Sequence, residues 1–173
     1  MSFSADALLI ITGSMGSGKT TVLFEASDIL ASRNVPHASI DLDALGTAHF
    51  KSGVHNDQLM YRNLRSVWEN YSSAGLKRVL LARAIETHEE LTLCCEAVSA
   101  ANVTVCRLAA SMKTMQARVQ SREIGMFQDR FITRVMELNA ILDHAHLEDF
   151  TLLNENRPVT EVAKEMLTRS GWL

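Results

Sequence analysis

The chain has 173 residues, of which 47% are apolar and 21% charged. That length suits one compact domain over residues 1–173, able to bury roughly 70% of its unfolded surface, and the apolar content excludes a disordered chain. A net charge of −3 with interspersed acids and bases excludes a broad cationic field for a nucleic-acid backbone.

The N-terminal residues 1–7 carry no basic region, and the apolar run Leu8–Ile11 is too short for a secretion signal. No stretch approaches the ~20 apolar residues of a membrane span. A cytoplasmic protein with no membrane partner is expected, as monomer or homodimer. Cys94, Cys95 and Cys106 lack metal-binding spacing and read as small buried apolar residues in a reducing compartment.

Leu8–Ile11 reads as a buried strand, and Val22, Leu23, Ala26, Ile29 and Leu30 then recur at helical spacing. Residues 38–42 form a second strand. Met60, Leu64, Val67, Trp68 and Tyr71 mark the face of a second helix. Val79–Ala82 is a third strand, followed by a helix striped by Leu91, Cys94, Cys95 and Val98. Val103–Leu108 is a fourth strand, after which Met112, Met115 and Val119 recur. Phe131, Val135, Leu138 and Leu142 stripe a further helix. Phe150–Leu153 is a fifth strand, and a last helix follows Pro158, which suits a first helical turn. Five strands alternating with helices predict an α/β domain, a parallel sheet covered on both faces. In such sheets ligands bind beyond the carboxyl ends of the strands.

The first strand ends at Thr12, and Gly13-Ser14-Met15-Gly16-Ser17-Gly18-Lys19-Thr20 matches GxxxxGK[ST] in full, with Thr21 next on the helix that follows. The glycines let backbone amides turn inward onto phosphate oxygens, and the helix adds its positive end. Lys19 is then placed for the β- and γ-phosphates of ATP, and the Thr20 hydroxyl for Mg²⁺.

Asp41 and Asp43 close the second strand. If the strand persists to Asp43, both carboxylates share one face ~7 Å apart while Leu42 points away. One can hold the metal and the other can take the proton of an acceptor hydroxyl. Asp43 lies further out and is the preferred base, with Asp41 as metal ligand; the reverse assignment stays open. Arg83, ending the third strand, can meet an acidic group on the acceptor. Residues 44–71 hold His49, Lys51, His55, Tyr61, Arg62 and Arg65, and Arg62 is a further candidate for the acceptor. Residues 107–134 hold Arg107, Lys113, Arg118, Arg122, Arg130 and Arg134 against Glu123 and Asp129, a local cationic excess.

With the phosphate loop, Asp41-Leu42-Asp43 and these arginines in hand, the chain resembles the small P-loop kinases. That group includes nucleoside monophosphate kinases, shikimate and gluconate kinases, adenylyl-sulfate kinases and chloramphenicol phosphotransferases. The resemblance implies a three-layer P-loop NTPase fold with a five-stranded parallel sheet, like that of nucleoside monophosphate kinases. It implies an acceptor segment at about 44–75 and an arginine-bearing lid at about 118–134. By the same resemblance Arg118 stacks on adenine, Arg122 meets the phosphates, and Asn156 and Arg157 after the fifth strand line the base. Arg130 is the further lid contact, on the acceptor side. The third strand ends Leu81-Ala82-Arg83, without a Walker B aspartate, and Asn-Lys-x-Asp is absent. Both departures disfavour a motor ATPase or GTPase. The expected activity is transfer of the γ-phosphoryl of Mg·ATP to a small-molecule hydroxyl, phosphate or sulfate. The competing expectation is a nucleotide sensor or slow ATPase.

Overall fold

A computed structural model of the chain describes residues 3–49, 56–122, 125 and 128–173. Strands β1 (Ala7–Thr12), β2 (Ala38–Asp41), β3 (Arg78–Ala82), β4 (Val103–Ala109) and β5 (Phe150–Leu153) form one parallel sheet in the order β2-β3-β1-β4-β5. The apolar run of β1 puts it at the centre, because a strand buried on both faces cannot alternate apolar with polar. Leu8 and Ile10 enter one core layer with Leu64, Trp68, Val79 and Cys94. Leu9 and Ile11 enter the other with Val22, Leu23, Val162 and Met166. This is the period-two alternation of a strand.

Helices α3 (Asn56–Ser73) and α4 (His88–Val98) pack together against the first layer. Helices α1 (Lys19–Ser32) and α7 (Val159–Arg169) pack together against the second. Helices α5 (Met112–Arg122) and α6 (Gln128–Ala145) form a third, smaller cluster, in which Met115, Val119 and Val135 surround Met15. Gly125 lies between these two helices. Pro158 is the residue before α7, one position ahead of the expected first turn.

The second strand departs from expectation. It stops at Asp41, and residues Leu42–Leu45 form the short helix α2. The Asp41 carboxylate accepts from the Asp43 amide at 3.3 Å, so an acid at the strand end turns the chain into a helix instead of extending it. Asp41 and Asp43 therefore do not share a strand face.

Among the described residues no helix is long and apolar enough to cross a membrane. Cys94 and Cys106 are buried free thiols, and burial pushes both up to about 12, the state of inert core residues.

Candidate active site

All carboxyl ends of the parallel strands point to one edge, and the phosphate loop leaves β1 there. Two of its glycines are required by position. Gly16 has φ +77°, and a Cβ on it would overlap the Met115 carbonyl oxygen and stand 2.9 Å from the carbonyl carbon. Gly18 has φ +95°, and a Cβ there would run into the Asn154 side-chain amide. An L side chain is strained at such φ and has no room besides. The loop is tied from outside: Ser14 Oγ donates to the Val135 carbonyl of α6 at 2.9 Å. Ser17 Oγ is buried and has no hydrogen-bond partner among the described residues.

Lys19 Nζ folds over the loop and donates to the carbonyls of Gly13 at 3.0 Å and Ser14 at 3.2 Å. Burial pushes it down to about 8, only partly offset by Asp43 and then Asp41; the cations Arg122 and Arg83 lower it further. Thr20 Oγ1 donates to Asp41 Oδ2 at 2.7 Å, which sets a hydroxyl and a carboxylate side by side at the entrance to α1. Lys19, Thr20, Thr21, Asp43, Arg118 and Arg122 line a common cavity of about 350 Å³.

Arg83 follows β3 and donates to the Asp43 carboxylate, with Glu90 Oε1 3.8 Å from its other terminal nitrogen. Glu90 is held in turn, its Oε2 accepting from the Glu86 amide at 2.6 Å. Glu86 accepts at both carboxylate oxygens, 2.7 and 2.8 Å, from Arg134 of α6. Arg134, Arg130, Phe131, Thr133, Glu137 and Met15 line a second cleft of about 870 Å³. Arg130 is exposed there and unpaired among the described residues.

Arg118 donates to the Gly16 carbonyl at 3.1 Å and the Asn154 carbonyl at 2.9 Å. It separates the phosphate-loop cavity from a pocket of about 230 Å³ that also holds Gly18, Thr21, Asn154, Arg157 and Val159. Arg157 lies in that pocket and pairs with Glu165 at 2.7 Å. Asn156 is exposed at φ +56° and is absent from its lining.

The residue that joins these parts is one the sequence reading passes over. Asn154 is buried, and its side-chain amide donates to the Ser17 carbonyl at 2.8 Å. Its position directly after β5, at the ligand edge of the sheet, is the signal that could have singled it out. Glu155 was also missed. It accepts from the Ser111 amide at 2.9 Å, from the Ser111 hydroxyl at 2.7 Å and from Thr114, capping α5. Those bonds, Thr114 first, pull its carboxyl down to about 2.

Three expected cations stand apart. Arg107 is buried in β4, bound to Asp143 at 2.6 Å, Asn139 at 3.2 Å and Glu148 at 3.6 Å, so it anchors α6 to the sheet and is no lid cation. Arg134 is engaged by Glu86. Arg62 is on the exposed face of α3 and lines neither cavity described above. Val135, Arg134 and Arg107 all tie α6, which begins within the expected lid, to the rest of the domain. Residues 123, 124, 126 and 127 of the expected lid lie outside the described residues, as do residues 50–55 of the acceptor segment, Lys51 and His55 among them.

Among solved structures, a sugar kinase from Janibacter matches with a TM-score of 0.65 and 15% identity, covering 95% of this chain and 93% of that one. Shikimate kinase from Acinetobacter baumannii, in complex with shikimate, matches with a TM-score of 0.63 and 15% identity over 97% of this chain and 94% of its own. The APS kinase of Mycobacterium tuberculosis, in complex with AMPPNP and APS, matches with the same score and identity over 97% and 99%. The fold is that of the small P-loop kinases. No protein-family model matches the chain, and no curated protein does.

Proposed function

We propose that the chain is an ATP-dependent phosphotransferase, a single-domain small-molecule kinase. One observation carries the reading: the Asp43 carboxylate borders the same cavity as Lys19, Thr20 and Arg122, so a base faces the point where a γ-phosphate would lie. A protein that only sensed nucleotide would need the phosphate cradle but no acid across the cavity from it.

The residues present fit Mg·ATP. Among the described residues the buried Ser17 hydroxyl has no partner and the Lys19 ammonium donates to loop carbonyls alone; with the crowded glycine turns, these are what an anion-binding cradle needs. No trio of acidic or imidazole ligands occurs among the described residues. Thr20 and Asp41 would hold the magnesium ion together with phosphate oxygens and water, the habit of an ion that dehydrates reluctantly. The metal nucleotide supplies the phosphoryl group and neutralises charge on it. Lys19 binds and orients the phosphates. Asp43 takes the proton from the acceptor hydroxyl as its oxygen attacks. Arg122, at the end of α5, meets the charge that spreads over the phosphoryl oxygens in the transition state.

The cleft of about 870 Å³ beside α6 is the acceptor's place in this reading, with Arg130 as its cation for an acidic substituent. Arg118 and Arg157 border the base pocket, with Asn154 holding its floor. The test is Mg·ATP turnover with and without a panel of sugars, sugar acids, cyclitols and nucleosides. Strong stimulation by one compound is the expected result. A flat panel with tight ATP binding would return the chain to the nucleotide-sensing class.

A further inference from the structure

Two consecutive peptide planes of the phosphate loop are gripped by their carbonyls. The Gly16 carbonyl accepts from Arg118 at 3.1 Å, and the amide of the same plane, Ser17 N–H, donates to the Ser14 carbonyl at 3.2 Å. In the next plane the Ser17 carbonyl accepts from the Asn154 side-chain amide at 2.8 Å. Asn154 is itself held by its backbone. Its N–H donates to the Ala109 carbonyl at the end of β4 at 2.8 Å, and its C=O accepts from the second terminal nitrogen of Arg118 at 2.9 Å. Asn154 is buried, and Gly18 presses so closely on it that a Cβ there would run into its amide nitrogen.

We infer that Asn154 is a positioning residue for the phosphate site: it fixes the Ser17–Gly18 peptide plane so that the Gly18 N–H faces the nucleotide's phosphates. The inference rests on the phosphotransferase reading. A trans peptide points its C=O and its N–H in opposite directions. With the Ser17 carbonyl drawn back onto Asn154, the Gly18 N–H is aimed the other way, toward the cavity that Gly18 lines with Lys19, Thr20 and Arg122. Gly18 precedes α1 at φ +95° without a side-chain cap, so this amide belongs to the positive end of the helix. The glycine that permits the turn also makes the plane easy to flip, because no Cβ resists the rotation. A flipped plane would turn the Ser17 carbonyl oxygen onto the phosphates in place of a donor. Asn154 prevents this from a rigid seat at the edge of the sheet, so the cradle is set before the nucleotide arrives and less ordering is left for binding. A neutral amide suits the task. A carboxylate could not donate to the Ser17 carbonyl, and an ammonium would compete for the phosphates themselves.

The test compares Mg·AMPPNP with magnesium tripolyphosphate, which has the phosphates but no base, by calorimetry on the whole chain. Asn154→Leu keeps the size of the side chain and removes its donor. It should weaken both ligands by the same factor, roughly tenfold or more, as for loss of one amide bond to an anion. Asn154→Ala gives the same comparison should the leucine variant not fold. In protein carrying isotope-labelled glycine, the Gly18 amide resonance should shift or double in the variant, while those of Gly75 and Gly171, outside the loop, keep their places. Weakening of Mg·AMPPNP alone would make Asn154 a contact of the base and refute the inference. Unchanged affinities with a lowered Tm, or an unmoved Gly18 amide, would refute it too. So would a wild type that binds Mg·AMPPNP but not tripolyphosphate, since a cradle set in advance holds phosphates without a base. In each of those cases the phosphotransferase reading stands. If the wild type binds neither ligand, that reading itself falls.

Discussion

Gly16 is the phosphate-loop position where a single methyl group does most harm. It is not one of the motif's obligatory residues, so the motif alone would let alanine stand there. The structure does not. At φ +77° an alanine takes on left-handed strain of about 1–2 kcal/mol. Its Cβ would also overlap the Met115 carbonyl oxygen and lie 2.9 Å from the carbonyl carbon and 3.0 Å from the Cα. These are backbone atoms in the first turns of α5, so no rotamer change relieves the overlap, and α5 must move off the loop. Overpacking of this kind adds about 1–3 kcal/mol. Gly16→Ala should thus cost about 2–5 kcal/mol, a drop in Tm of at least ~5 °C for a chain of this size. Gly18→Ala is the control. It meets the end of the Asn154 side chain, which can swing away, so it should melt higher than Gly16→Ala while losing the Asn154–Ser17 bond. Thermal unfolding followed by circular dichroism measures both. A Gly16→Ala protein melting within ~1 °C of wild type would refute the close approach of α5 to the loop.

Asp43→Asn should leave the Kd for Mg·ATP near wild type and slow single-turnover transfer by ~10²-fold or more; an unchanged rate would move the base to Asp41. Arg122→Ala should cut kcat far more than it weakens ATP binding, with Arg122→Lys recovering only part, because an ammonium keeps the charge but not the fork. Lys19 sits at about 8 in the folded chain against an ordinary 10.5, so between those values the unfolded chain holds more protons and stability rises with pH. At pH 9 the free lysine is mostly neutral, and a bound triphosphate should recharge it. Calorimetry in two buffers of different ionisation enthalpy should find uptake of roughly 0.9 proton per nucleotide, and the Kd should weaken roughly fivefold from pH 8 to 9. No proton uptake would mean that Lys19 stays charged in the free loop.

What can be read along the chain is what the backbone decides locally. Leu8–Ile11 announces a strand buried on both faces because no polar residue interrupts it. The phosphate loop announces itself because a turn that aims amides inward has few sequences that can make it, and strand, turn and helix follow one another directly between Ala7 and Ser32. The parallel sheet and its ligand edge follow from the alternation of strands and helices. The turn after Asp41 was the local exception: an aspartate at a strand end can extend the strand or cap a helix, and only the hydrogen bond to the Asp43 amide distinguishes them.

Pairing of charges is decided elsewhere. Arg83, Arg107, Arg118 and Arg134 look alike in sequence, each a cation within or just after an element. Their partners come from segments distant along the chain: Asp43 for Arg83, Asp143 for Arg107, Glu86 for Arg134 and the Gly16 carbonyl for Arg118. An arginine's role depends on whether a carboxylate has already neutralised it, and which carboxylate reaches it is set by helix packing rather than by local spacing. Asn154 makes the same point. Beside Asn156 it looks like ordinary turn chemistry, and only the approach of β5 to the phosphate loop turns its amide onto Ser17. The sequence by itself therefore determined where the glycine-rich turn, Lys19 and the helix after them lie. Tertiary structure alone decided which of the surrounding charges are engaged with one another and which face the cavity, because a salt bridge needs two segments brought within ~4 Å and no one-dimensional pattern carries that distance.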